Sequence, residues 1–265
     1  MTVSHAEETS AQCVIDGVGF DQITEEGALQ RITQALGDGR GGTVLTANVD
    51  ILRQLQEPAM SKLATDAEMV VADGMPVVLA SRLMGGNGLP ERVTGSSLIC
   101  SLSARVLRTG GTVALIGGAP GVVDRAAQAL SDENDGRGQI AFYSPAFGFE
   151  SDPDEVARID GLFERHKPDV AFVGLGFPKQ ELLANRLRER FPSTWFVGCG
   201  GSIAMVAGEV SRAPRWVQAL GAEWLFRLAH EPKRLFRRYI IHDLPYGSAL
   251  LFRALAHRWG RNGTG

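Results

Sequence analysis

Cysteine is scarce in this chain: three in 265 residues, Cys13, Cys100 and Cys199, far apart and with no C-x-x-C pair. That spacing excludes a disulfide framework and a cysteine-bound zinc site, and leaves all three as small buried residues. The five histidines form no cluster, and no D-x-D pair stands at the end of an apolar run; Asp132-Glu133 and Asp152/Asp154 fall in polar loops. No grouped metal ligands are present, so neither a metal nor another cofactor is expected. Long apolar runs are missing too. No segment reaches the roughly 18 uninterrupted apolar residues of a membrane span, and the polar opening MTVSHAEETSAQ lacks a signal peptide's apolar region. A cytoplasmic protein is expected. There is also no complete G-x-G-x-x-G. Gly174-x-Gly176 lacks the third glycine and has Pro178 and Lys179 instead, which weighs against an NAD(P)-dependent oxidoreductase.

What is present is an ordinary soluble composition, 44% hydrophobic and 22% charged, with a net charge of −3 that is unevenly placed. From Arg212 onward ten basic residues face three acidic ones, so residues 1–211 carry −10. That asymmetry points to a C-terminal segment that meets something anionic.

The chain reads in three parts. Residues 1–12 are polar and aperiodic and are expected to be disordered. Residues 13–211 open with a hairpin turning at Asp16-Gly17 and continue with strands at 43–46, 69–72, 112–116, 140–143, 169–173 and 194–197, each followed by helical spacing. Six strands alternating with helices predict an α/β fold, a doubly wound, mostly parallel, Rossmann-like sheet. Residues 212–265 form a helical appendage in which bulky apolar residues alternate with arginines, the pattern of an interfacial segment. A plain amphipathic helix packed on the core is the competing reading of this pattern.

The chemistry centres on Val70 to Gly95. Four apolar residues, Met69 to Ala72, are stopped by Asp73-Gly74, which puts Asp73 at the carboxyl end of a strand, where open α/β sheets bind ligands. A Gly/Pro loop then carries Arg92. Thr46 and Asn48 stand at another strand end, and glycine-rich turns follow two more, Gly117-Gly118 and Gly174 to Gln180. Such turns let backbone amides approach phosphate oxygens. A carboxylate, small polar groups, amide-lined turns and the cations Arg92 and Lys179 suit a phosphate-bearing donor attacked by a hydroxyl: the carboxylate takes the proton and the cations hold the charge on a departing diphosphate. Each residue also has a plainer role open to it: a helix cap for Asp73, solvent exposure for Lys179, and capping or structure for Gln180 and Glu181.

The ordered set T-A-N at 46–48, A-D-G-M-P at 72–76, R-V-T-G at 92–95, I-G-G at 116–118, V-G-L-G-F-P-K-Q-E at 173–181, G-x-G-G at 198–201, R-A-P-x-W at 212–216 and E-W-L-F-R-L-x-x-E-P-x-R at 223–234 resembles the WecG/TagA/CpsF glycosyltransferases, glycosyltransferase family twenty-six. The resemblance runs from Val14 to Tyr239. It implies a metal-independent, inverting transfer of a hexose-type sugar (N-acetylmannosamine, its uronic acid, or a glucose-type sugar) from a UDP-sugar to a polyprenyl-diphosphate-linked acceptor. The reaction would take place at the inner face of the cytoplasmic membrane, in synthesis of a bacterial surface polymer. By the family's pattern Asp73 is the general base, Thr46 and Asn48 line the sugar site, and Gln180 belongs to the pocket. The glycines Gly117, Gly118, Gly174, Gly176 and Gly200 and the cation Lys179 then fall to the nucleotide-sugar. Arg227, Arg234, Arg237 and Arg238 would dock the appendage on an anionic membrane surface and close the active site, and self-association is implied as well. The tail from His242 to Trp259 is longer and more apolar than the family's pattern. A non-catalytic scaffold binding nucleotide-sugar or lipid is the other reading, and Asp73 separates the two.

Overall fold

The computed structural model describes residues 11–210, 213–214, 217, 223–230 and 232–262. The disorder expected of residues 1–12 lies outside the described residues for 1–10, while the Ala11 carbonyl accepts from the Gln22 N–H at 2.9 Å and Gln12 begins the first strand. Most of residues 211–222, around the start of the expected helical appendage, falls outside them as well.

A hairpin of β1 (Gln12–Ile15) and β2 (Val18–Asp21) leads through α1 (Glu25–Gly37) to β3 (Gly42–Ala47), α2 (Val49–Gln54), α3 (Pro58–Thr65), β4 (Met69–Ala72), α4 (Met75–Leu83) and α5 (Gly95–Arg108). Then come β5 (Thr112–Gly117), α6 (Val122–Glu133), β6 (Gln139–Tyr143), α7 (Pro153–His166), β7 (Val170–Gly174), α8 (Lys179–Arg190), β8 (Trp195–Gly198) and the short α9 (Ser202–Val206). The appendage contributes α10 (Glu223–His230), α11 (Pro232–Phe236), a π-helical stretch over Arg237–Asp243 and α12 (Leu244–Asn262).

All six expected strands join one parallel sheet in the order β4-β3-β8-β7-β5-β6. Along each central strand alternate residues enter opposite cores. Val113, Leu115, Val170, Phe172, Trp195 and Val197 pack beneath α5 and α6, while Ala114, Ile116, Ala171, Val173 and Phe196 pack against α7 and α8. Covering both faces is what makes these strands continuously apolar. β4 lies at one end of the sheet order, and the hairpin blunts its open edge, because the Asp21 carboxylate accepts from the Val70 N–H at 2.8 Å.

Chain direction reverses between β5, whose connection runs out to β6, and β7, whose connection runs back to β8. Gly117 and Gly174 face each other across this switch point. Gly117 has φ +122°, and a Cβ there would lie 2.5 Å from the Gly174 carbonyl oxygen, so no side chain fits.

Beside it, Gln180 in the first turn of α8 staples two turns together. Its Oε1 accepts from the Gly176 N–H at 3.2 Å and the Gly200 N–H at 3.0 Å, and its Nε2 donates to Glu181 Oε1 at 2.8 Å. Gly198 leaves the room for this pair, since a Cβ would stand 2.5 Å from Gln180 Nε2. Burial pushes the Glu181 carboxyl from 4.5 up to about 7, and its Oε2 is buried with no hydrogen-bond partner among the described residues. Between those two pH values the native protein keeps a proton that the unfolded chain has released, so stability falls as pH rises through the window. The Glu181→Gln variant keeps an acceptor for Gln180 and loses the titration. From about pH 5 to pH 7 the unfolding free energy of the wild type is expected to drop relative to that variant, at about 1 kcal/mol per pH unit, with its thermal midpoint falling in step; a constant difference would show that Glu181 is ionised throughout.

Candidate active site

The parallel register sends the ends of β3, β4, β5, β7 and β8 to one edge of the sheet, where the sequence-derived site residues were expected to meet. There the structure opens a cleft of about 250 Å³ between the β3–β4 end of that edge and the appendage. Its floor is Asn48, Asp73, Gly74, Met75, Pro76 and Arg92.

Asp73 follows β4 directly. Its backbone N–H is held by the Ala47 carbonyl at 3.0 Å, and one carboxylate oxygen lies 3.4 Å from the Gly95 N–H at the start of α5, the helix end that favours negative charge. Thr94 caps that helix by accepting from the Ser97 N–H, so the R-V-T-G segment both starts α5 and brings Arg92 to the cleft. Asn48 has two duties. It lines the cleft while its Oδ1 caps α2 at the Ile51 N–H, 3.0 Å away.

The appendage supplies the roof: Trp224, Arg238, Tyr239, Asp243, Leu244, Gly247, Ser248 and Leu251. Tyr239 meets Trp224 edge to face with ring centres 6.3 Å apart, and the Arg238 guanidinium lies 5.4 Å from the Tyr239 ring centre. Arg238 Nε stands between two carboxylates, Asp50 at 3.1 Å and Asp243 at 3.5 Å. Burial, reinforced by the neighbouring Asp50 charge, pushes the Asp243 carboxyl up to about 6. The roof is anchored by α12, whose Leu250 and Ala254 are buried in the core formed with β1, β2, α2 and α4. Tyr246 and Arg253 of the same helix both bind the Asp16 carboxylate in the hairpin turn.

The cleft thus gathers Asp73, Asn48, Arg92 and Arg238 of the expected residues. The rest stand elsewhere. Thr46, expected to line the sugar site, is only 3% exposed, and its hydroxyl donates to the Gly198 carbonyl at 2.7 Å, tying β3 to β8. Gln180, expected in the pocket, is 2% exposed. It also absorbs the amides of Gly176 and Gly200, two of the glycines expected to serve a nucleotide-sugar, so neither N–H is left to bind a phosphate. Gly117, Gly118 and Gly174 form the switch point along the same edge. Lys179 is paired with Glu150 at 2.6 Å. Arg237 is exposed on the appendage, and the side chains of Arg227 and Arg234 lie outside those described.

The sequence reading missed the roof residues Trp224, Tyr239 and Asp243, and Asp50 beneath them. The signal available was thin: two aromatics in the arginine-rich segment and an acid two residues after Asn48.

The family model for the glycosyl transferase WecG/TagA/CpsF family matches residues 13–261. The chain is also 32% identical, over 203 residues and 76% of either protein, to the N-acetylglucosaminyldiphosphoundecaprenol N-acetyl-beta-D-mannosaminyltransferase of Bacillus spizizenii. An acid at the end of a parallel strand, facing an arginine-bearing roof, is thus set in a chain that belongs to the WecG/TagA/CpsF family of glycosyltransferases.

Proposed function

We propose that this glycosyltransferase moves a hexose-type sugar, N-acetylmannosamine by analogy with its relative, from a UDP-sugar to a polyprenyl-diphosphate-linked saccharide, with inversion at the anomeric carbon. The observation that carries this reading is the position of Asp73, a carboxylate in the floor of a cleft that Arg92 and Arg238 also line. The acceptor hydroxyl would give its proton to Asp73 as its oxygen bonds to the anomeric carbon. The bond from that carbon to the diphosphate breaks on the opposite face, and the electron pair leaves with UDP. A single displacement of this kind needs a base and no enzyme nucleophile, and it inverts the centre. Arg92 and Arg238 would hold the charge on the departing diphosphate, with Arg238 exchanging its contacts to Asp50 and Asp243 for phosphate oxygens. The aromatic edge of Tyr239 and Trp224, with Met75 and Pro76 opposite, suits the apolar face of a sugar ring.

We further propose that the enzyme works at an anionic membrane surface through its appendage. No helix among the described residues is long and apolar enough to cross a membrane. Lys233 and Arg237 are exposed beside Phe236 and Ile241, each 54% exposed, and α12 adds Phe252 and Trp259, 69% and 71% exposed. Apolar and basic groups side by side are what an interfacial segment uses.

Three outcomes are expected. Replacing Asp73 by Asn should lower turnover by about 100-fold or more while UDP still binds; wild-type turnover in that variant would reduce Asp73 to a structural residue. Chelating agents should leave turnover intact, because side-chain cations carry the leaving-group charge, and activity lost to a chelator and restored by a divalent ion would contradict this. The Lys233→Glu/Arg237→Glu double variant should sediment with anionic vesicles more than tenfold less well, given about 1 kcal/mol per basic residue near such a surface. Equal sedimentation of the two proteins would remove the membrane reading.

A further inference from the structure

Phe147 is fully exposed, at 101% of its reference area, although the loop that carries it is firmly built. On one side the Tyr143 hydroxyl and the Ala146 N–H both donate to Glu155 Oε2, each at 2.9 Å. On the other, Phe149 is buried and the Asp152 carboxylate caps α7 at the Asp154 N–H. A large apolar ring is thus held out in water by a loop fastened on both sides.

Its location explains what it could meet. The loop is fastened to the β5 turn, where the Ser144 hydroxyl donates to the Gly118 carbonyl at 2.6 Å. Lys179, the first residue of α8 after the β7 turn, lies with Nζ 5.1 Å from the Phe147 ring centre and is steadied by Glu150 at 2.6 Å. The ring is therefore tied to both sides of the switch point between β5 and β7, where doubly wound sheets open a crevice for nucleotides.

We propose that Phe147, with Lys179 beside it, is the platform on which the pyrimidine base of the donor stacks. This rests on the reading that the donor is a UDP-sugar, and it gives that donor a direction. In the strand order β4-β3-β8-β7-β5, the crevice between β7 and β5 is three and a half strand spacings from β4, about 17 Å along the edge. A nucleotide-sugar laid along the edge, base on Phe147, carries its diphosphate past the end of β8 and presents its sugar at Asp73. The lysine occupies one side of the ring and the base takes the other, with stacking as the affinity term rather than hydrogen bonds to the base.

The test is the equilibrium binding of UDP to the full-length wild type and to Phe147→Ala and Phe147→Trp, with donor KM and kcat measured alongside. Stacking on an aromatic side chain accounts for about 1–3 kcal/mol per base by alanine substitution. Phe147→Ala should therefore raise the Kd for UDP by about fivefold or more, and should raise the donor KM while leaving kcat within about twofold. Phe147→Trp should bind UDP at least as well as the wild type. All three proteins should share one thermal midpoint, because the ring contributes no buried area. Unchanged UDP affinity in Phe147→Ala, or Phe147→Trp as weak as Phe147→Ala, overturns the platform and leaves the UDP-sugar reading standing. A wild type that binds no UDP overturns that reading and this inference with it.

Discussion

A parallel strand pair cannot be closed by a short turn. Each strand must return through a crossover on a face of the sheet, and this constraint shapes the whole molecule. It places α5 and α6 over one face and α7 and α8 over the other, which is why alternate residues of β5, β7 and β8 divide between two cores. The loops that follow the strands then all emerge at the same edge. Asp73, Asn48, the Gly117-Gly118 turn and the Gly174–Gly176 turn share one edge because every strand that precedes them runs one way. An antiparallel partner anywhere among them would have carried its loop to the opposite edge.

Backbone polarity at that edge is shared out unevenly. The β7 and β8 turns give two amides to the Gln180 side chain, and Thr46 bonds the Gly198 carbonyl. These are internal ties that hold neighbouring turns in fixed relation. The cleft draws its ligand-facing groups from the β3–β4 end of the edge and from the appendage, where Asp73, Arg92 and Arg238 are brought together. Rigidity and recognition are thus divided between two parts of one edge.

Much of this was legible in the residues. Asp73 could be placed because four apolar residues stop at an Asp-Gly step, and the strands could be counted because each apolar run ends in glycine or a polar cap. Strand order was not legible. The connection from β4 to β5 crosses over β3, β8 and β7, and nothing local in residues 73–111 records that span. The depth of Thr46 was not legible, because the strand-end rule fixes an edge and not a depth; one residue before the end, its hydroxyl faces β8. The roof escaped for a different reason. Periodicity arguments assume 3.6 residues per turn, and the π-helical stretch Arg237–Asp243 breaks that period just where Arg238, Tyr239 and Asp243 enter the cleft.

That stretch also sets the phase between two anchored surfaces. At its start, Tyr239 holds its edge-to-face contact with Trp224; after it, Tyr246, Leu250 and Arg253 are seated on the hairpin and α4 side of the molecule. Rewinding the same seven residues as ordinary α-helix, at about 100° per residue in place of the wider π turn, would swing everything downstream by roughly 100°. Either the aromatic pair or the seated face would then have to let go. The winding of the seven residues between Phe236 and Leu244 is for that reason as much a part of the cleft's chemistry as their identities.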